Sequence, residues 1–467
     1  MVSFLSVDIA IIISFFFLLI LIGLLAGKTS AETSEEYLLS GRKVGLGLFV
    51  LTNVATWYGG ILGVGEFTYR YGLVSWFTQG FPYYIFAVLF AIFFAGKIRT
   101  ASLFTIPDKL EQAYGEHAAI IAAGLIFVLV SPAPYLFMIG SLISLVFGIG
   151  LLPALVLGVF VSSIYLFKGG YKSNIYADAF AFFAMFGGFI LALVVAWSNY
   201  GGLSYLASNV PQTHLEITGD VSPAFIIVWF LIALWTFTDP GFHQRCYSAQ
   251  TGKIAQLGVF ISVVFWFLFD FLTTSLGLYA KASLGNIANP VLAFPLLAES
   301  LLSPGAKGVF YAALFATIIS TLNSFMFLSA TTFGRDFAQK FSRKTDDSQL
   351  NQYTRIGLLV AALISVLLAY FFQSVVEIWY TIGSICIPGV IILVISAYYP
   401  KLKVSHTIAT AELVTATLGS IIWFVIRSSI GESHPLYVIE PMIAGMLTAV
   451  VIHVIGIIHF NRLRMAA

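Results

Sequence analysis

The 467 residues are 59% hydrophobic and only 9% charged, with a net charge of +2, whereas soluble domains carry roughly 25% charged residues. So little charge excludes a water-soluble fold, and the near-neutral balance excludes a nucleic-acid partner. What remains is an all-α polytopic membrane protein, because a lipid-facing helix needs no polar face.

Crossing the hydrocarbon takes about 20 apolar residues. Such spans are expected, in chain order, at 7–27, 44–67, 75–97, 118–148, 151–168, 177–197, 223–247, 255–280, 305–332, 355–373, 375–399, 406–427 and 436–459. The first has no basic segment before it and a charged flank after it, so it reads as a retained helix and not a cleaved leader. Between spans, 105–116 reads as an interfacial helix and 286–302 as a Pro-interrupted external segment. Placed on this layout, 19 of the 23 basic residues fall on one side: Lys28, Arg42, Lys43, Lys97, Arg99, Lys109, Lys168, Lys172, Arg245, Lys253, Arg335, Lys340, Arg343, Lys344, Arg355, Lys401, Lys403, Arg462 and Arg464. Arg70, Lys281, Lys307 and Arg427 fall on the other. A wrong span count would scramble that division from the error onward. The positive-inside rule then puts the N-terminus outside and the C-terminus in the cytoplasm, as in a bacterial cytoplasmic membrane.

The sequence offers nothing for chemistry. There is no GxxxxGK[ST] phosphate loop, no HExxH and no nucleophile–base pair, and Cys246 and Cys386 lack metal-ligand spacing. Neither an enzyme nor a nucleotide-driven pump is expected, and no cofactor.

Two spans carry breaks that lipid would not tolerate. The second has Thr52-Asn53-Val54-Ala55-Thr56-Trp57-Tyr58 followed by Gly59, Gly60, Gly63 and Gly65, and the seventh has Thr236 to Gly241, with Asp239 and Pro240 in mid-span. Such interruptions are sustained where freed backbone groups line a cavity. Their separation of five spans is that of two inverted repeats, each opening with a broken helix that builds a transport site. In span nine, Thr317, Ser320 and Thr321 share one helical face, where hydroxyls and a carbonyl offer the hard neutral oxygens Na⁺ needs.

At this point the chain resembles the sodium:solute symporter family. The residues that carry the resemblance are Glu36 to Arg42; Gly169-Gly170-Tyr171-Lys172 with Tyr176-Ala177-Asp178; Pro240 to Arg245; Ser320-Thr321; and Pro388-Gly389. They fall in order over nearly the whole chain, and the layout is similar to the thirteen-helix, proline-transporter-like branch. The resemblance implies a LeuT-like 5+5 inverted-repeat core in one domain over 1–467. Residues 1–43 form the leading helix and loop, 44–222 the first repeat, 223–400 the second, and 401–467 two trailing helices. It implies Na⁺-coupled symport of a small organic solute by alternating access. The principal sodium site falls on carbonyls of Leu51, Val54 and Thr317 and hydroxyls of Ser320 and Thr321, with Asp178 on the ion route or at a second sodium.

The solute cavity is then expected between spans two, three, four, seven and eleven, with Asn53, Trp57, Tyr58, Gln79, Trp235, Thr238, Asp239, Trp379, Tyr380 and Ser384 as candidates. Asn53 stands where proline transporters have an acid, which argues against proline. His243 is expected to pack or cap. The alternatives are proton coupling through Asp178 or Asp239, and a non-transporting solute sensor. Partners are Na⁺, a small solute and membrane lipid, and a single copy suffices for the site. The family carries sugars, amino acids, sialic acid, vitamins and small carboxylates, so the fold leaves the solute open.

Overall fold

The computed structural model describes residues 2–29, 33–342, 346–372, 375–431 and 434–466, and for 29, 375–378 and 460–466 the backbone alone. Of the basic residues named above, Arg343 and Lys344 lie outside the described residues, as do the side chains of Arg462 and Arg464. In chain order the helices are α1 (Ser6–Ala26), α2 (Leu46–Ala55), α3 (Ile61–Tyr71), α4 (Leu73–Ala101), α5 (Ile106–Tyr114), α6 (Glu116–Leu129), α7 (Ala133–Phe147), α8 (Leu151–Ser163) and α9 (Leu166–Tyr200). There follow α10 (Pro223–Ile232), α11 (Pro240–Ser248), α12 (Gly252–Leu284), α13 (Ala293–Leu301), α14 (Ala306–Thr331), α15 (Asp347–Phe371), α16 (Val375–Ala397), α17 (His406–Ser429) and α18 (Pro441–Ala466).

Among the described residues, 11 helical stretches are long and apolar enough to cross a membrane. The other two expected spans differ for physical reasons. The second is divided into α2 and α3 by its polar break, and the fifth, α8, is only 13 residues long.

Span nine is the axis of the bundle. Burial covers 94% of the most apolar window of Ala306–Ser342 but 22% of that of α1, so α14 is surrounded by protein while α1 faces lipid. Ala, Ser and Thr recur along α14, and small side chains let neighbouring helices approach closely. The tightest neighbour is α9, which the Gly169-Gly170 pair bends. Gly170 has φ +53°, and a Cβ there would sit 2.4 Å from the Tyr37 carbonyl oxygen. Gly170→Ala is therefore expected to cost at least the ~1–3 kcal/mol of a strained backbone, read as a lower thermal midpoint of the purified protein.

The interfacial helix expected at 105–116 is α5. Thr105 caps it through Asp108 N (3.2 Å), with Pro107 in the first turn. It is tied to the C-terminal end of span nine by Asp108–Arg335 (2.8 Å), Thr105–Asp336 (2.8 Å) and Glu111–Lys340 (2.5 Å). At the opposite end, Arg427 of α17 holds Glu440 (3.0 Å) and the Tyr380 hydroxyl of α16 (2.9 Å), binding α17 and α18 to α16.

Candidate functional site

The two interrupted helices end where their sequences stop supporting an α-ladder. Helix α2 stops at Ala55, and Thr56 to Gly60 form an irregular crossing before α3. A helix C-terminus leaves its last carbonyls without partners. Here α14 supplies them. Ser320 Oγ donates to Ala55 O (2.7 Å) and Thr317 O (3.2 Å), and Thr321 Oγ1 donates to Thr56 O (2.9 Å) and Thr317 O (3.4 Å). Gly59 permits this approach, since a Cβ there would lie 2.4 Å from Thr321 Cβ.

Five oxygens thus converge in a buried spot with no charged atom among them. Three of the expected residues, Thr317, Ser320 and Thr321, meet there. The break carbonyls they meet are those of Ala55 and Thr56, not of Leu51 and Val54. Leu51 lies inside α2, where its carbonyl belongs to the helical ladder, and the Val54 carbonyl accepts from Trp57 N (3.2 Å).

Directly beside this cluster lies a buried polar network. Asp178 Oδ2 accepts from Thr52 Oγ1 (2.5 Å) and Asn174 Nδ2 (3.3 Å), and Arg245 Nη2 stands 4.0 Å away. The same guanidinium donates to Thr56 Oγ1 (2.6 Å) and Ser324 Oγ (3.3 Å). Asp178 is therefore mid-helix in α9 and shares a network with the sodium-type cluster. Sequence reasoning placed Arg245 at the cytoplasmic face, but it is buried and reaches up to the break. Its signal was an arginine one turn beyond the mid-span Pro240. Removing one partner of a buried ion pair costs roughly 3–5 kcal/mol. Arg245→Leu should thus lower the thermal midpoint strongly, and adding Asp178→Asn should recover most of the loss; a double variant no better than the single would show that the two groups do not act as a pair.

Span seven breaks through a 3₁₀ turn, Ala233–Phe237, before α11. Asp239 caps α11, accepting from Phe242 N (3.0 Å), and Pro240 opens that helix, where it forfeits no hydrogen bond. The other oxygen of the Asp239 carboxylate accepts from Trp235 Nε1 (2.6 Å). Aromatic side chains from five further spans form a chain of contacts leading to it. Tyr83 of α4 and Tyr135 of α7 lie within electrostatic reach of the carboxylate. Trp57 packs on Tyr83 (centroids 5.0 Å apart) and stacks on Trp266 of α12 (4.8 Å), while Tyr135 meets Trp379 of α16 (5.6 Å). Trp379 lies over the first break, for a Cβ on Gly60 would be 2.3 Å from its ring.

Of the expected solute residues, Trp235 bonds Asp239, and Trp57 and Trp379 are linked toward it through Tyr83 and Tyr135. Asn53 is buried with its Nδ2 unpartnered, Thr238 bonds the Trp235 carbonyl (3.2 Å), Gln79 ends one half of α4 beside a bend, and Ser384 is buried on α16. Tyr58 donates to the Trp266 carbonyl (2.7 Å), and Tyr380 is committed to Glu440 and Arg427. His243 Nε2 bonds the Phe237 carbonyl (3.0 Å) and packs among rings. The sequence did not single out Tyr83, Tyr135 or Trp266, since aromatics are ordinary in membrane helices and only the fold selects these.

Comparison with known proteins gives this geometry its context. The chain is 25% identical to the high-affinity choline transporter 1 of Drosophila melanogaster over 79% of its own length, but spans only 63% of that transporter. It is 24% identical to the choline transporter of Torpedo marmorata (91% of this chain, 76% of that protein) and 23% identical to sodium/proline symporter 2 of Staphylococcus saprophyticus (94% and 90%). Its fold is that of a substrate-bound, outward-open Na⁺-coupled sialic acid symporter, with a TM-score of 0.82 at 17% identity over 98% of both chains. A nucleobase-cation-symport transporter with bromovinylhydantoin bound follows at 0.62 and 12% identity, over 93% of this chain and 96% of the other. The family model described as "Sodium:solute symporter family" matches residues 37–411, four-fifths of the chain, and the protein belongs to the sodium:solute symporter family.

Proposed function

We propose that the protein is a Na⁺-coupled symporter of a small organic cation of the quaternary-ammonium type. The observation that carries the reading is one buried carboxylate, Asp239, bonded by Trp235 and within electrostatic reach of Tyr83 and Tyr135, on which Trp57 and Trp379 pack. A quaternary ammonium has no N–H to donate, so it is recognised by aromatic faces and a nearby negative charge. The choline transporters among the relatives support the same class.

Sodium would occupy the five-oxygen cluster of Ala55, Thr56, Thr317, Ser320 and Thr321, its entry turning the two hydroxyl protons away from the carbonyls. Held there, it ties the break of span two to α14. That fixes Trp57 for the solute, and linkage makes the gain in affinity reciprocal. Asp178 and Arg245 lie on the inward ion route, where the arginine competes with a departing Na⁺ for the same oxygens. Residues 44–222 and 223–400 act as the two repeats and 401–467 as a scaffold. The site needs one copy of the chain, in a bacterial cytoplasmic membrane with the N-terminus outside.

The test is radiolabelled choline uptake into proteoliposomes holding the purified chain, with and without an inward Na⁺ gradient. Uptake that requires Na⁺ and is inhibited by other quaternary ammonium ions is expected. Choline uptake indifferent to Na⁺ would remove sodium from the mechanism, and none at all would remove the proposed solute.

A further inference from the structure

One buried carboxylate takes no part in the sites above. Asp270 sits near the middle of α12, 8% exposed, one helical turn from Trp266. In the sequence it is a lone acid within Trp266-Phe267-Leu268-Phe269-Asp270-Phe271-Leu272. An ionisable residue there is costly and marks ion or proton pathways.

The other two buried carboxylates near the site are compensated. Asp178 has Arg245, Thr52 and Asn174, and Asp239 has an indole N–H and a helix N-terminus. Asp270 has phenols: Tyr84 donates to its Oδ2, and the Tyr58 hydroxyl faces it. Gly80, at the bend of α4, makes the approach possible, since a Cβ there would be 2.6 Å from that oxygen.

The charged groups of the elements packed on α12 are engaged elsewhere. Glu66 of α3 pairs with Arg70 (2.8 Å), and Lys97 and Arg99 of α4 meet the Tyr399 ring and the Ala249 carbonyl. Arg245 of α11 serves Asp178, Glu299 of α13 holds Lys307 (2.8 Å), and Lys281 of α12 itself lies over Tyr69. Among the described residues, no Lys, Arg or His neighbours Asp270. A buried carboxylate without a counter-charge is neutralised by a proton or by a bound cation. Two carboxylate oxygens and two phenol hydroxyls, one of them bonded to the Trp266 carbonyl, are too few to replace a sodium ion's water shell, whereas a single proton satisfies the carboxylate.

We propose that Asp270 is a proton-binding site, and that this transporter carries a proton together with Na⁺ and solute. The inference goes beyond the sodium-coupled reading and rests on it for the transport cycle. Two dipeptides connect the carboxylates. In Trp57-Tyr58 and Tyr83-Tyr84 the first rings pack on each other, with Tyr83 in electrostatic reach of Asp239, and the second rings face Asp270. A solute that seats Trp57 and Tyr83 thereby sets Tyr58 and Tyr84 against Asp270, and phenol donors, which favour the charged carboxylate, drive its proton off. The carboxylate is loaded with a proton from the outer solution before the solute seats and gives it up to the cytoplasm once the site faces inward, and no other bond changes.

The test uses the full chain in proteoliposomes loaded with a pH-reporting dye, with membrane potential clamped and an inward Na⁺ gradient. Choline added outside should acidify the lumen in step with its uptake. Asp270→Asn keeps the shape of the neutral acid, so it should take up choline while acidification is lost. Choline uptake without acidification by the wild type overturns the proposal, as does acidification that persists in Asp270→Asn. A lowered Na⁺-to-choline ratio in that variant, with no proton movement in the wild type, would make Asp270 a sodium ligand instead. If choline is not a solute at all, infrared spectra of the purified protein still decide. A protonated-carboxyl C=O band at neutral pH that Asp270→Asn removes is required, and identical bands in both proteins overturn the proposal.

Discussion

Replacing Ser320 and Thr321 together by alanine should raise the Na⁺ concentration for half-maximal uptake by about a hundredfold. Each substitution removes one oxygen from a five-oxygen cluster, and a contact to a charged partner is worth roughly 1.5–3 kcal/mol. Two such losses, discounted for their being neighbours, leave about 3 kcal/mol, and every 1.4 kcal/mol is a factor of ten. The same change strips the Ala55 and Thr56 carbonyls of their donors, so the protein should also melt earlier in Na⁺-free buffer. The two effects are separable. A sodium site predicts that the wild type gains thermal stability on replacing K⁺ by Na⁺, and that the double variant does not. Equal stabilisation of both proteins by Na⁺ would move the ion elsewhere.

Asp239→Asn should weaken choline binding by about thirtyfold while leaving the fold intact. Asparagine is as good an N-cap as aspartate, so α11 keeps its start, and what is removed is the charge together with the acceptor for Trp235 Nε1. Two unit charges about 5 Å apart at an effective dielectric of about 20 interact by roughly 3 kcal/mol. Some of that is forfeited to desolvation, which leaves about 2 kcal/mol, or a factor of about thirty. Trp57→Leu should cost about tenfold by loss of one cation–π face, worth ~0.5–2 kcal/mol. The decisive control is the uncharged isostere of choline, with carbon in place of the ammonium nitrogen. Its weak binding should be unaffected by Asp239→Asn. A carboxylate that acted only by shaping the break would lower both ligands alike, and that outcome would end the organic-cation reading.

Much of this protein was legible before any coordinates because lipid imposes simple rules. Apolar runs of spanning length, basic residues gathered on one side, and two breaks five spans apart are all one-dimensional signals. They determined the all-helical membrane fold, the interfacial helix that became α5, and the face on α14 that bears Thr317, Ser320 and Thr321. What the tertiary structure decided is which atoms meet. Where α2 stops relative to α14 depends on how closely Gly59 lets Thr321 approach, so the carbonyls that Ser320 and Thr321 meet are those of Ala55 and Thr56. Tyr380 went to the Arg427–Glu440 pair because α16, α17 and α18 converge there. Arg245 and Asp270 gained their significance only from the neighbours that the fold brought or failed to bring. A sequence shows that a charge lies inside the membrane; whether it has a partner is a property of helices distant in the chain.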